Sequence, residues 1–337
     1  MDTSTHIAFG IGFAGLAYLD PAVAADPVLA NAVMAGTILG SNAPDFDYAV
    51  KLVKGKAMYI EHHRGISHSI PALFIWAILL SGIIQLFHSP LAFFHLFGWT
   101  LFAAAFHVFI DIFNMFGTQG GRPFTKKWLA LNAIPLFDPF MMFLHLAGFL
   151  LWALFGHPAL IFTVIYVIIG GYMAERLHAS RKLSRQIQED FPFGQANVMM
   201  APTMKWSRWK VTAVTDDSIY SGDVYNGKVN WVHSFKKEAF DEKLILLART
   251  AKNAIHFLKS TDFVYPSVKD IGHAYEVKFI DYRFRTGQSH FPFMAIVIIS
   301  KDHRILSSCT GWIYQEKDAE ERMEFHHPLT ESNHFTA

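Results

Sequence analysis

Apolar residues gather in long uninterrupted runs through the first half of the chain and in short alternating runs through the second. The long runs extend roughly over Ile7 to Leu19, Val28 to Ala43, Ile70 to Phe87, Leu91 to Phe116, Ile134 to Phe155 and Ala159 to Ala174. The last four reach the ~17 residues a helix needs to cross a bilayer core, and the first two fall short of a comfortable crossing. The pattern therefore predicts four full spans and two short ones, a multi-pass helical membrane domain of about six helices over residues 1–180. Past Ser180 the pattern changes. Trp209 to Val214, Ser218 to Tyr225 and Lys228 to Phe235 alternate as strands do, and Asn226-Gly227 joins the last two because both positions tolerate positive φ. Lys237 to Leu258 carries apolar residues at helical spacing (Phe240, Leu244, Leu247, Ala251, Ile255, Leu258) and predicts one amphipathic helix. Tyr275 to Arg285, Phe291 to Ser300 and Arg304 to Tyr314 read as three further strands, with turns at Thr286-Gly287 and Lys301-Asp302. Residues 181–337 are thus expected to form a soluble α+β domain, a helix on an antiparallel sheet with one wet face.

Composition sharpens the division. Of the 337 residues 52% are apolar and 17% charged, with 32 Phe and a mean hydropathy of +0.24, too apolar for an ordinary soluble chain. The formal net charge of +1 provides no drive toward nucleic acid, and no Arg/Lys run interleaves with aromatics, so a nucleic-acid partner is not expected. Cys309 is the single cysteine and no internal disulfide can form.

Basic residues orient the spans. The loops Asp20 to Pro27, His88 to Pro90 and Gly156 to Pro158 contain no Lys or Arg, whereas Lys51, Lys54, Lys56, Arg64, Arg122, Lys126 and Lys127 lie in the alternate loops. By the positive-inside rule both termini are expected in the cytoplasm. A signal peptide is the rival reading of Ile7 to Tyr18, with Ala22, Val23 and Ala24 as a cleavage site. Asp2, His6 and the absence of Lys or Arg at the start argue against it.

That orientation brings His6, Asp45, Asp47, His62, His63, His68 and Asp138 to one face, with His107 and Asp111 on the last turns of the fourth span. Ionisable groups in or beside apolar spans cost a few kcal/mol each and persist mainly where they bind or catalyse. His107 and Asp111, four apart in HVFID, project from one helix face and suit two ligands on one ion or a carboxylate bridging two. A hydrogen-bonded structural pair is the bland alternative, and burial in a span weighs against it. Asp45 and Asp47 follow Pro44, which helps end the second span. They are hard oxygen ligands or a solvated acidic turn. In HHRGISHS, Gly65 allows a tight turn, and Arg64 is available for an anionic group such as phosphate. Asp138 precedes Pro139 in the pattern of a helix N-cap. His145 suits an interhelical contact and Cys309 a small core residue.

In order, Asp2xxxHis6, Pro44-Asp45-x-Asp47, His63-Arg64-Gly65-x-x-His68-Ser69 and His107xxxAsp111 resemble the YdjM family of membrane-bound proteins read as metal-dependent hydrolases, in its YfhP-like branch with a long C-terminal extension. The likeness covers roughly residues 1–140, and the ordered set is far more specific than any one motif. More distantly it is similar to zinc-dependent phospholipases C and single-strand nucleases, whose helical fold gathers an N-terminal ligand, loop His and Asp and an HxxxD helix around zinc. The resemblance implies His6, Asp45, His68, His107 and Asp111 as metal ligands in a phospholipase-C-like helical site. After Asp111 the chain departs from that pattern, offering only Asn114, Asp138 and His145 in place of a His/His/Glu series, so one or two ions are implied instead of three.

The mixed His/Asp set suits Zn²⁺ best and admits Mn²⁺ or Fe²⁺. Asp47 or Asp138 is then expected to take a proton from a metal-activated water and Arg64 to stabilise developing charge. The expected substrate is a phosphoester or related ester, lipid-linked or close to membrane lipid, at the cytoplasmic face. The alternative is a non-enzymatic membrane-anchored metal- or partner-binding protein with a cytosolic interaction domain. A transporter fits less well because the ionisable groups cluster at one face instead of the midplane.

Overall fold

The computed structural model describes residues 1–47, 64–87, 92–236, 241–261, 263–286 and 290–325, without the side chain of residue 47. His62, His63 and Gly287 lie outside the described residues. So do residues 237–240, where the predicted amphipathic helix begins.

The first half is helical. Helices α1 (Thr3–Leu16), α2 (Pro21–Ala25), α3 (Pro27–Gly40), α4 (Ile70–Leu86), α5 (Phe93–Asp111), α6 (Pro139–Phe155) and α7 (Pro158–Glu189) follow in order. Their starts follow capping chemistry. Asp2, Asp20, Asp26, Ser69 and Asp138 each accept a backbone N–H of the first turn, and a proline opens or nearly opens α2, α3, α4, α6 and α7. Among the described residues only α5 and α7 are long and apolar enough to cross a membrane, while α3, α4 and α6 are shorter apolar helices. At 1.5 Å per residue α5 measures about 28 Å, close to a bilayer core. Phe74, Ile75, Ile78, Leu79 and Ile83 of α4 all stand about half exposed, an apolar outer face suited to lipid.

Inside, Phe9, Phe13, Ile110, Met141, Phe162 and Ile169 form the core between α1, α5, α6 and α7. Two glycines set the closest approaches. A Cβ at Gly10 would stand 2.7 Å from Ile38 Cα, and one at Gly40 would stand 2.7 Å from the Thr100 carbonyl oxygen. Helix α3 is thereby seated against both α1 and α5.

Helix α7 runs on past its apolar part and packs on a four-stranded antiparallel sheet, ordered β1 (Asn197–Pro202), β2 (Arg208–Val214), β3 (Ser218–Tyr225), β4 (Lys228–Lys236). Ile187 and Phe191 meet Val198, Trp209 and Val211 there. Buried Arg176 ties the helices to this sheet: its Nε donates to Ala133 O (3.2 Å), its Nη1 donates to Trp206 O (2.8 Å), and the guanidinium lies 3.9 Å from the Trp209 ring centroid.

The described residues form two compact units that divide between Phe235 and Lys236. The first sheet therefore sides with the helices, although composition changes near Ser180. In the second unit, β5 (Val264–Asp270), β6 (Ala274–Asp281), β7 (Phe293–Ser300), β8 (Ile305–Trp312) and β9 (Glu324–Phe325) form an antiparallel sheet in sequence order. Helices α8 (Glu242–Ala248) and α9 (Lys252–Ser260) pack on it, and α10 (Glu316–Glu320) follows β8.

Three sequence expectations change. There are two sheets where one was expected. The unforeseen strands β1 and β5 are edges that carry Pro202 and Pro266, residues tolerated only where no ladder hydrogen bond is needed. The single helix predicted over Lys237 to Leu258 is two, because Ala251 is extended (φ −65°, ψ 136°) and buried, so that both halves turn apolar residues onto the sheet. The Asn226-Gly227 turn forms as expected, with φ of 48° and 77°.

Candidate metal centre

Four side chains from three separate places converge. Helix α3 ends at Gly40, and a 3₁₀ turn over Ala43–Asp47 presents Asp45. A second 3₁₀ turn, Ile66–His68, presents His68 just before α4. The last turns of α5 present His107 and Asp111. His107 Nε2 lies 3.3 Å from His68 Nε2, 3.6 Å from Asp45 Oδ1 and 3.7 Å from Asp111 Oδ2. His68 Nε2 lies 3.5 Å from Asp45 Oδ1 and 3.8 Å from Asp111 Oδ2. All four donor atoms fall within 4.8 Å of one another. Three of the residues are fully buried and the Asp45 side chain is 26% exposed, so the cluster opens on Asp45's side.

The outer atoms of these side chains are already committed, which aims the inner ones. His107 Nδ1–H donates to Ser41 O across 2.7 Å, leaving Nε2 with its lone pair toward the cluster. His68 Nδ1 pairs with Ser67 Oγ at 3.0 Å. Asp111 Oδ1 accepts from Asn114 Nδ2 at 3.1 Å. Asp45 Oδ1 and Asp111 Oδ2, by contrast, are buried and accept no hydrogen bond, at a cost of about 1–3 kcal/mol each for groups left without a partner. Arg64 Nη2 stands 3.2 Å from Asp111 Oδ2, out of line for a hydrogen bond. For Asp45, burial pushes the carboxyl up, but the imidazole of His107 and the charge of Arg64 outweigh it and hold it below the usual carboxylate range.

This donor set fits a divalent cation. Ligands about 2.0–2.1 Å from a tetrahedral metal stand about 3.3–3.4 Å apart, and the His–His, His–Asp45 and His107–Asp111 separations of 3.3 to 3.7 Å are close to that spacing. Two imidazole nitrogens and two carboxylate oxygens that accept no hydrogen bond face one point, a set that a divalent cation between them would satisfy.

His6 sits on the other side of Asp111. Its Nε2 is 3.6 Å from Asp111 Oδ1, its ring stacks on His107 at 3.8 Å between centroids, and the α-amino nitrogen of Met1 contacts Asp111 Oδ1 and lies 3.0 Å from His6 Nε2. Arg64 stands behind the cluster. Its Nη1 donates to Asn114 Oδ1 (3.1 Å), and its carbonyl accepts from Gln119 N (2.9 Å) and Thr118 Oγ1 (3.1 Å). Those bonds hold it at a φ of 61°, uncommon for a residue with a Cβ.

Asp138 is not part of the cluster. Its carboxylate caps α6, accepting from Phe140 N (3.0 Å) and Met141 N (3.1 Å), and takes the Tyr172 hydroxyl at 2.5 Å. Asp47 closes the turn that carries Asp45, and its side chain lies outside the described residues. His145 Nδ1 donates to Met141 O (2.8 Å), and its ring meets Phe9 edge-on at 4.5 Å.

Sequence reasoning missed two supporting groups. Asn114 lies three residues after Asp111, in the turn just past the end of α5, and sequence reasoning noted it without assigning it this role. Ser41 acts through its carbonyl, which no side-chain pattern announces.

Comparison with known proteins agrees with this geometry. Residues 1–179 match the model of the YdjM inner membrane protein family, residues 195–235 the YfhP middle domain and residues 243–323 the YfhP C-terminal alpha/beta plait domain. The uncharacterized protein YfhP of Bacillus subtilis (strain 168) is 40% identical over 325 residues, 96% of this chain and 99% of its own. No solved structure matches. The motif order, the helical half and the near full-length likeness agree: the chain belongs to the YdjM inner membrane protein family, with the YfhP middle and C-terminal domains attached.

Proposed function

We propose that this protein is a membrane-bound metal-dependent hydrolase acting on a phosphoester or related ester at the cytoplasmic face of the inner membrane. The observation that carries the reading is the pair of unsatisfied carboxylate oxygens, Asp45 Oδ1 and Asp111 Oδ2, facing two oriented imidazole nitrogens in a buried pocket. A divalent ion, zinc by the chemistry of the donors, would when bound supply Lewis acidity and lower the pKa of a water there toward about 7. Asp45, His68, His107 and Asp111 hold that ion, and His6 with Asp111 Oδ1 offers a place for a second.

The remaining residues divide the work. Asp45 stands at the open side, where substrate enters. Asp47, two residues on, takes the proton, since the Asp138 carboxylate is engaged by the α6 N–H groups and Tyr172. Arg64 orients Asp111 and places a positive charge beside the reacting ester. Helices α1, α3, α4, α5, α6 and α7 make six membrane crossings, four of them (α1, α3, α4 and α6) shorter than the bilayer core is thick, with both termini cytoplasmic. The site then lies at headgroup level, where a lipid-linked or membrane-proximal substrate reaches it.

The test is metal content of detergent-purified protein against a His68/His107/Asp111 triple alanine variant of equal yield, followed by a panel of phosphodiesters and lipid esters. One or more ions per chain, lost in the variant together with turnover, is expected. Protein that binds no metal above background after reconstitution overturns the proposal.

A further inference from the structure

Helix α5 carries a second feature, on the face turned away from His107 and Asp111. Phe102, Phe106, Phe109 and Phe113 recur three or four residues apart and, with Phe13 of α1 and Met173 of α7, line an apolar groove of about 360 Å³. A neighbouring cavity of about 440 Å³ is lined by Asp20, Phe94, His95, Gly98 and Trp99. Leu16 and Phe102 line both, so the two adjoin along one side of α5. Together they run beside α5 from Phe94 to its end at Asp111, about 26 Å at 1.5 Å per residue, longer than one lipid chain needs.

The far end is polar and acidic. Asp20 Oδ2 meets His95 Nδ1 at 2.6 Å and Trp99 Nε1 at 3.4 Å, while Oδ1 accepts from Ala22 N at 3.0 Å. Burial raises the Asp20 carboxyl, but these bonds outweigh it and keep it below its ordinary value. The described loops at this end, residues 20–27 and 156–158, contain no Lys or Arg and add Asp26. A phosphate meets no Lys or Arg side chain among these residues. A cation meets a carboxylate and the ring of Trp99, the best aromatic face for it.

We propose that this groove holds one membrane lipid with a cationic amine headgroup, its hydrocarbon chain along α1, α5 and α7 and its ammonium against Asp20 and Trp99. The site lies at the end of α5 away from the metal centre and stands independently of the hydrolase reading. Lipids that merely coat the protein have no reason to prefer one headgroup. This groove has one, because carboxylate attraction and cation–π contact are together worth about a tenfold preference.

Two substitutions separate headgroup from chain. Asp20→Asn keeps the N-cap of α2, since asparagine caps as well as aspartate, and removes the charge. Gly170→Phe fills the chain groove, where a Cβ at Gly170 meets nothing within 4 Å. The full-length protein is delipidated in detergent, offered equal phosphatidylethanolamine and phosphatidylglycerol of the same chains, and read by native mass spectrometry. Wild type is expected to retain one phosphatidylethanolamine about tenfold over phosphatidylglycerol, Asp20→Asn to lose the preference, and Gly170→Phe to lose tight retention of both. Equal retention of the two lipids by wild type, or an unchanged preference in Asp20→Asn, overturns the proposal.

Discussion

His107 Nδ1 and the carbonyl oxygen of Ser41 lie 2.7 Å apart although 66 residues separate them in sequence. This bond fixes the tautomer and the aim of the His107 ring, and it exists because Gly40 lets α3 press against Thr100 of α5. Metal affinity should therefore depend on a glycine that touches no metal. Gly40→Val is expected to push the helices apart and lower metal affinity at least tenfold, with the protein still inserted in the membrane. Equilibrium dialysis with zinc checks it, and an unchanged affinity means the carbonyl is dispensable.

Asn114 acts on Asp111 as Ser41 acts on His107. Asn114→Ala removes the bond to Asp111 Oδ1 and the one from Arg64. Loss of such a supporting partner typically costs about 10–100-fold in metal affinity. The same dialysis reads the shift, and ion stoichiometry at saturation should remain that of wild type.

His6 and His107 predict different stoichiometries. If His6 serves a second ion through Asp111 Oδ1, His6→Ala loses one ion and keeps the other, whereas His107→Ala strips the four-ligand set. Elemental analysis distinguishes them. Identical losses in both variants would mean that His6 only buttresses the His107 ring it stacks on.

Cys309 should be inert in the folded chain. It is 1% exposed, and burial pushes its thiol up to about 11. At pH 8 only about one thiol in a thousand is then ionised, against roughly a quarter for a free cysteine near 8.5. An aromatic disulfide reagent is expected to label it only after denaturation, and stoichiometric labelling of native protein would contradict the burial.

Asn253 pins α9 to the second sheet. Its Nδ2 donates to both the carbonyl and the hydroxyl oxygen of Ser308, each at 3.0 Å, and the residue is 2% exposed. Asn253→Ala leaves the buried Ser308 carbonyl without that donor, at a cost of about 1–3 kcal/mol. Hydrogen exchange in the full chain should show faster exchange in Lys252–Ser260 and β8, with α1 to α7 unchanged.

Local chemistry was legible in the chain itself. Apolar runs located every long helix, Asp138 and Pro139 announced where α6 begins, and Asn226-Gly227 marked its hairpin, because caps and tight turns are satisfied by neighbours in sequence. The four convergent ligands were also readable as motifs. What the pattern could not distinguish was Asp45 from Asp138, two carboxylates beside prolines at helix ends. Only the folded chain decides that one faces two imidazoles and the other accepts from its own helix and from Tyr172, since long-range packing determines which group each meets. For the same reason edge strands β1 and β5 escaped notice, as did the split between α8 and α9. The sequence determined which groups had the chemistry of a metal site; tertiary packing decided which of them point at one another, because orientation comes from partners such as the Ser41 carbonyl that carry no signature in a one-dimensional pattern.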